Sequence, residues 1–322
     1  MKVFLILIFL TLLFFHKLFI NPNEMLYPAG DIAIYSFKEQ FFVDSIKNFG
    51  TIPFWNPYMF GGHPSLGSNE IPLFYPLHIF FFFLPIDLAF GYLFILDIFL
   101  IGVFTYLFGK TIGLNKFSSS ISAIVAMFSG TTILYIYPGQ ISILDSFTWF
   151  PLLLLLYEQA IQKKSLRYGF FSGFIVALML LSGTLQISLI SLFSAFSFFI
   201  FRLLSLKTGK IRLIIIPIIS VAIGILLAAI QLIPGIEFAK LSVRAYGLDY
   251  SFASDFSLHP YQLIAFVLPH FFGSPLVENT YWGINGNFWS ICGYAGVFSI
   301  ILSVIAVLHK RNKYTVFFAF IG

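Results

Sequence analysis

The stretch Tyr168–Phe201, YGFFSGFIVALMLLSGTLQISLISLFSAFSFFIF, decides the fold. It holds 34 residues without a charge, with Lys163, Lys164 and Arg167 before it and Arg202, Lys207, Lys210 and Arg212 after it. A bilayer core takes about 20 apolar residues per helix, so the stretch is too long for one crossing. Basic residues favour the cytoplasmic face, and here both flanks are basic, which requires an even number of crossings. Ser182-Gly183-Thr184, at the middle, is the turn between two short helices.

The same pattern extends outward. Further apolar runs are Val3 to Ile20, Leu88 to Phe108, Phe117 to Tyr137, Ser146 to Ala160, Leu213 to Pro234 and Gly283 to Leu308, with Tyr314 to Gly322 beginning another. The first has only Lys2 ahead of it and no small-x-small cleavage site behind it, so it reads as a retained helix rather than a removed signal. Leu73 to Leu84 and Tyr261 to Phe272 are short and interrupted or bounded by proline, which fits interfacial or re-entrant segments. The expected architecture is an all-α polytopic membrane protein, one transmembrane domain over 1–322. It has about eight complete crossings, an incomplete ninth and two long extracytoplasmic loops, 21–72 and 235–282. Because the chain stops inside a hydrophobic run, it reads as truncated at its C-terminus.

Composition agrees. Of the 322 residues 59% are hydrophobic and only 10% charged, with a mean hydropathy of +0.95, against about 25% charged in soluble domains. Soluble enzymes, coiled coils, disordered chains and disulfide scaffolds are excluded, and a single cysteine, Cys292, makes neither an internal disulfide nor a zinc site. On the expected topology thirteen of the 18 basic residues are cytoplasmic, as is the N-terminus, and eleven of the 13 acids lie outside. The expected location is therefore the cytoplasmic membrane.

The first outer loop is acidic and aromatic together. After Pro28-Ala29-Gly30 comes Asp31, and then Ile34, Phe37, Phe41, Phe42, Ile46 and Phe49 recur at about helical spacing, which predicts an amphipathic helix on the outer membrane surface. Asp31 is either a general base or metal-anchoring carboxylate, or an N-cap. Next come Trp55-Asn56-Pro57-Tyr58 and Gly61-Gly62-His63-Pro64. Aromatic faces with amide donors suit a carbohydrate or lipid headgroup; an interfacial aromatic belt explains the same residues. His63 has no second His or Cys at metal-like spacing.

Other residues could complete an outer cavity: Gln140 and Asp145 in one turn, Gln186 in another, and Glu237, Lys240 and Arg244 where the Leu213 run ends. A helix continuing past Pro234 would present an acid and two bases one turn apart. Arg244 could grip a phosphate or simply pair with an acid. Polar helix ends also serve interhelical packing. Asp97 is alone among the acids in lying deep in a span, which marks a functional, proton-linked or paired residue. No phosphate-binding loop, dinucleotide fingerprint, HExxH or nucleophile elbow is present, and the cytoplasmic loops are too short for an ATPase domain.

Taken together, AGDIAIYSF, PFWNPYMFGGHPSLG, LFYPLHIFFFFLP, GQISILDSFTWFPLLLL, SGTLQIS, AAIQLIPGIEFAKLSVR and FSLHPYQLIAFVLPHFFG resemble the YfhO family of bacterial and archaeal membrane proteins. That family belongs to the GT-C superfamily of lipid-dependent glycosyltransferases. The resemblance runs through nearly the whole chain, with Gln140 where members often carry His and Thr184-Leu185 where they carry His-Pro. It implies a GT-C-like bundle that moves a sugar from a polyprenyl-phosphate donor to a cell-envelope glycopolymer, lipid or protein, with no nucleic-acid partner. Asp31 would then be the catalytic base or hold a divalent ion such as Mg or Mn; no paired-acid motif accompanies it. Lys240 and Arg244 would take the phosphate, and Trp55 and Tyr58 the sugar. Asn56, His63, Asp145, Gln186 and Glu237 would be further substrate-binding residues. A flippase for lipid-linked sugars, or a non-catalytic envelope assembly protein, would share the fold.

Overall fold

The computed structural model describes residues 2–20, 31–59, 61–67, 72–242, 245, 247, 249–255, 257–274, 280–283, 288, 293–309 and 312–321. Helices dominate them: α1 Lys2–Phe14, α2 His16–Ile20, α3 Asp31–Phe49, α4 Ile86–Thr111, α5 Lys116–Phe128, α6 Gly130–Ile133, α7 Ile141–Thr148, α8 Phe150–Lys163, α9 Arg167–Leu181, α10 Leu185–Leu204, α11 Lys210–Leu241, α12 Tyr250–Ser254, α13 Val297–His309 and α14 Lys313–Ile321. Two 3-10 segments, Pro76–Phe82 and Pro260–Phe266, occupy the short apolar stretches. A two-residue antiparallel ladder pairs β1, Trp55–Asn56, with β2, His63–Pro64.

The deciding stretch folds as two helices joined by a turn. Helix α9 ends at Leu181, α10 starts at Leu185, and Gly183 takes the left-handed backbone (φ 93°) that turns the chain. Among the described residues four helical segments are long and apolar enough to cross a membrane: α4, the α7–α8 run Ile141–Lys163, α10 and α11. At 1.5 Å per residue, the 32 residues of α11 reach about 48 Å, beyond the ~30 Å of a bilayer core. Helices α1, α5, α9 and α13 are apolar but shorter, so four of the eight expected crossings have full length.

Several runs are broken, each in a definable way. The first run splits at Phe15, where the His16 ring bonds the Leu13 carbonyl at 2.8 Å. The next breaks at Ser129, whose backbone is extended and whose hydroxyl meets Thr131 and Thr132, while Gly130 N–H donates to Tyr294 O at 2.6 Å. At Trp149 the cause is Pro151, which has no N–H for the carbonyl four residues back. Helix α11, by contrast, continues through Pro217 and Pro234, the extension that brings Glu237 and Lys240 onto it.

The helices run back and forth between two ends. At one end Gln162 of α8 donates to Thr111 O of α4 at 2.8 Å and Tyr314 of α14 to Glu158 of α8 at 2.9 Å. Lys163, Lys164 and Arg167 lie in the turn from α8 into α9 at this end. At the other end Asp31 N–H donates to Pro138 O at 3.1 Å and Thr184 Oγ1 to Ser142 Oγ at 2.8 Å. Gly67 there packs so closely on Phe238 of α11 that an added Cβ would lie 2.7 Å from it. Buried clusters fill the space between: one among α8–α11, one joining α3, the first 3-10 segment, α4 and α7, and one joining α1, α4 and α5.

Helix α3 turns part of its apolar stripe outward and buries a face that also carries charge. Helix α3 spans the predicted residues, but Ile34, Phe37 and Phe49 point away from the protein. Its buried face carries Ile32, Phe42 and Val43 together with two charged residues, Lys38 and Glu39. Apolar spacing identified the outward stripe, because a buried charge with a partner leaves no mark in hydrophobic periodicity.

Candidate functional site

Asp31 opens α3, an acid in the first turn as a helix N-terminus favours, and is half-buried. Gln140 Nε2 donates to its Oδ2 at 2.7 Å. Behind this pair Gly139 (φ 75°) lies against Ile32; an added Cβ would be 2.3 Å from the Ile32 Cβ, so only glycine lets the turn approach α3. Asp31 is thus the first helical residue rather than a cap, held by a residue 109 positions away.

The aromatic block folds on the second half of α3. Tyr58 is exposed and sets its ring edge-on to Phe41 at 5.8 Å. Asn56 is buried, and its Oδ1 accepts the Tyr58 N–H at 2.9 Å, so it builds the turn instead of presenting an amide. His63 faces Asn56 across the ladder. The Trp55 ring lies over Gly62, where a Cβ would come within 2.6 Å, and more than half of the residue is exposed. Through Gly67 and Phe238 the block reaches the end of α11, where Glu237 and Lys240 are exposed. Gln186 is exposed in the first turn of α10. Arg244 lies outside the described residues.

Asp145 corrects the expectation of a residue facing an outer cavity: it is fully buried, and His78 Nε2 donates to its Oδ2 at 3.0 Å. The same ring's Nδ1 donates to Glu39 Oε1 at 2.9 Å. Asp97 of α4 contacts Asp145 and accepts from Thr148 Oγ1 at 3.0 Å. Tyr75 closes the group, taking the Trp149 indole N–H on its hydroxyl at 2.7 Å. Burial pulls the His78 pKa down, but Glu39 and Asp145 more than offset this and raise it from 6.5 to about 10. Burial first, then the Asp145 and Asp97 charges, drives the Tyr75 hydroxyl upward.

Neither Glu39 nor His78 stands in a recognisable motif. The signals available were a Lys-Glu pair inside a helical stripe and a lone histidine in LFYPLHIFFFFLP. Among the described residues no group of three or more His, Cys, Asp or Glu side chains could hold a metal ion. The reason is visible at His78, whose two nitrogens point Glu39 and Asp145 to opposite sides of the ring. Among the described residues, those around Asp31 likewise do not supply the ligands for a divalent ion.

These features define a helical protein with helices suited to a membrane and two polar groupings near one end of its bundle, one at the surface and one buried. No family model matches the chain, and neither does any curated protein or solved structure.

Proposed function

We propose that the protein is a membrane glycosyltransferase working on the extracytoplasmic side. It would take a sugar from a polyprenyl-phosphate donor and pass it to a cell-envelope acceptor. The observation that carries this reading is Asp31, half-buried at the loop end of the bundle with its carboxylate oriented by Gln140; the resemblance to the YfhO family supports it. Asp31 takes the proton of the acceptor hydroxyl, the freed oxygen attacks the anomeric carbon, and the bond from that carbon to the phosphate oxygen breaks. The exposed Lys240, with Arg244, meets the departing polyprenyl phosphate, and Trp55 and Tyr58 offer ring faces to the sugar.

The test is sugar transfer from a panel of synthetic polyprenyl-phosphate sugars, with the protein in nanodiscs and Asp31→Asn alongside. Loss of about 10²–10⁴ in turnover is expected, the span of general-base catalysis. Undiminished turnover in Asp31→Asn would discard the base. Donor that binds and stays intact with both forms would discard the transferase. The helix interruptions at Ser129 and Trp149 favour, as a second reading, a flippase for lipid-linked sugars, because broken helices line substrate paths in transporters. Movement of a labelled donor between leaflets that survives Asp31→Asn distinguishes it.

A further inference from the structure

Four ionisable side chains that sugar transfer does not use lie together beneath α3: Glu39, His78, Asp145 and Asp97, none more than 4% exposed. They come from four elements, α3, the first 3-10 segment, α7 and α4. His78 makes both of its hydrogen bonds to carboxylates, and an imidazole does this with both nitrogens protonated. At the other end of the row Asp97 Oδ2 and Asp145 Oδ1 are buried and accept nothing from any described donor, and the two carboxyl groups are close neighbours. Two carboxylate oxygens attract only when a proton lies between them. The remaining titratable groups of this region are Lys38, also buried on α3, and Tyr75, which faces the Asp145 backbone carbonyl.

We infer that Glu39, His78, Asp145 and Asp97 form one buried proton-binding site holding two protons, one completing the His78 imidazolium and one shared by Asp97 and Asp145, and that α3 is docked through it. The ligand is the proton itself. Withdrawing α3 takes Glu39 from His78 and weakens the ring's hold on its proton. Separation of α3 from α4 and α7 is therefore accompanied by proton release, and a lower pH favours the docked form by the same coupling. This inference is independent of the sugar-transfer reading, since neither Asp31 nor Lys240 belongs to the row.

The experiment uses the full chain in nanodiscs. Nitrogen NMR of histidine-labelled protein, with His78→Gln to identify the signal, is expected to show His78 with both nitrogens protonated at neutral pH and after the other histidines have lost a proton. Infrared spectroscopy is expected to show the carbonyl stretch of a neutral carboxyl, sensitive to deuterium exchange and lost in Asp97→Asn, whose carboxamide can donate to Asp145 in place of the shared proton. A neutral His78 ring at neutral pH, no neutral-carboxyl band in the wild type, or a band that persists in Asp97→Asn overturns the site. If Asp97→Asn fails to fold, the two wild-type spectra decide. Hydrogen exchange of α3 amides tests the docking: protection that falls as His78 deprotonates supports it, and protection indifferent to that step overturns it.

Discussion

Arg202 and Glu158 meet fork to carboxylate between α10 and α8, Nη2 to Oε1 at 2.7 Å and Nε to Oε2 at 2.5 Å, with both residues buried. The same carboxylate accepts Tyr314 Oη at 2.9 Å and Gln162 Nε2 at 2.9 Å, and the guanidinium sits 5.1 Å from the centre of the Tyr314 ring. Gln162 in turn reaches Thr111 O. One acid therefore ties α4, α8, α10 and α14 together, and Arg202, expected as a flank of a basic loop, is a buried partner instead.

Arg202→Met should cost about 3–5 kcal/mol of stability, because it leaves Glu158 buried without its cation. Arg202→Lys should fall between the two, keeping the charge and losing the fork. Glu158→Gln combined with Arg202→Met should recover part of the loss, since no isolated charge remains. Unfolding midpoints of the four proteins in one detergent check the order; equal stability of the two single variants and the wild type would show that the pair holds nothing.

Helices α9 and α11 approach through small residues. An added Cβ at Gly173 would lie 2.6 Å from Ile223 Cβ, and one at Gly224 2.3 Å from Val176 Cγ1, whereas at Gly169 the nearest atom is 3.4 Å away. Close backbone approach is how helices gain packing in lipid. Gly173→Leu and Gly224→Leu should loosen α9 from α11 and lower the unfolding midpoint, and Gly169→Ala should be tolerated. Cross-linking between cysteines introduced on the two helices, compared across the three variants, reads the separation directly.

The helical runs were legible because charge-free apolar stretches and the Ser182-Gly183-Thr184 turn each act locally. Helix breaks were less so. Pro151 announces the one at Trp149, but Ser129 breaks through hydroxyl bonds and a carbonyl of Tyr294, contacts that no local pattern encodes. Of the candidate site, Asp31 stood out by position, while its partner Gln140 is 109 residues distant. His78 looked like any histidine in an apolar run. Its meaning comes from Glu39 and Asp145, 39 and 67 residues away, and buried ionisable groups reveal themselves only as pairs.

Gly139 is placed to show whether the Asp31–Gln140 contact matters. Gly139→Ala meets both a left-handed backbone and the Ile32 side chain, so it should cost about 1–3 kcal/mol and displace the turn that carries Gln140. Gly50 has a similar φ, 65°, with nothing within 4 Å of an added Cβ. Gly50→Ala thus carries the backbone cost without the collision. A larger loss of stability and of sugar transfer in Gly139→Ala than in Gly50→Ala is expected, and equal losses would separate the turn from the site.

The His78 cluster gives stability a defined pH dependence. The folded-state pKa, about 10, stands above the ordinary 6.5 because Glu39 and Asp145 hold the imidazolium against the cost of burial. A group whose affinity for its proton rises on folding stabilises the fold fully below its unfolded pKa. That contribution is therefore complete below pH 6.5, declines above it, and is gone once the pH has passed through about 10. Thermal midpoints measured across this window should fall with rising pH in the wild type. His78→Gln, which keeps hydrogen-bonding capacity but has no titrating ring, should start lower and lose the slope. A wild-type slope that survives the substitution would assign the pH dependence to other groups. The surviving candidates would be lysines, tyrosines and the proton shared by Asp97 and Asp145, since ordinary carboxylates have finished titrating before this window opens.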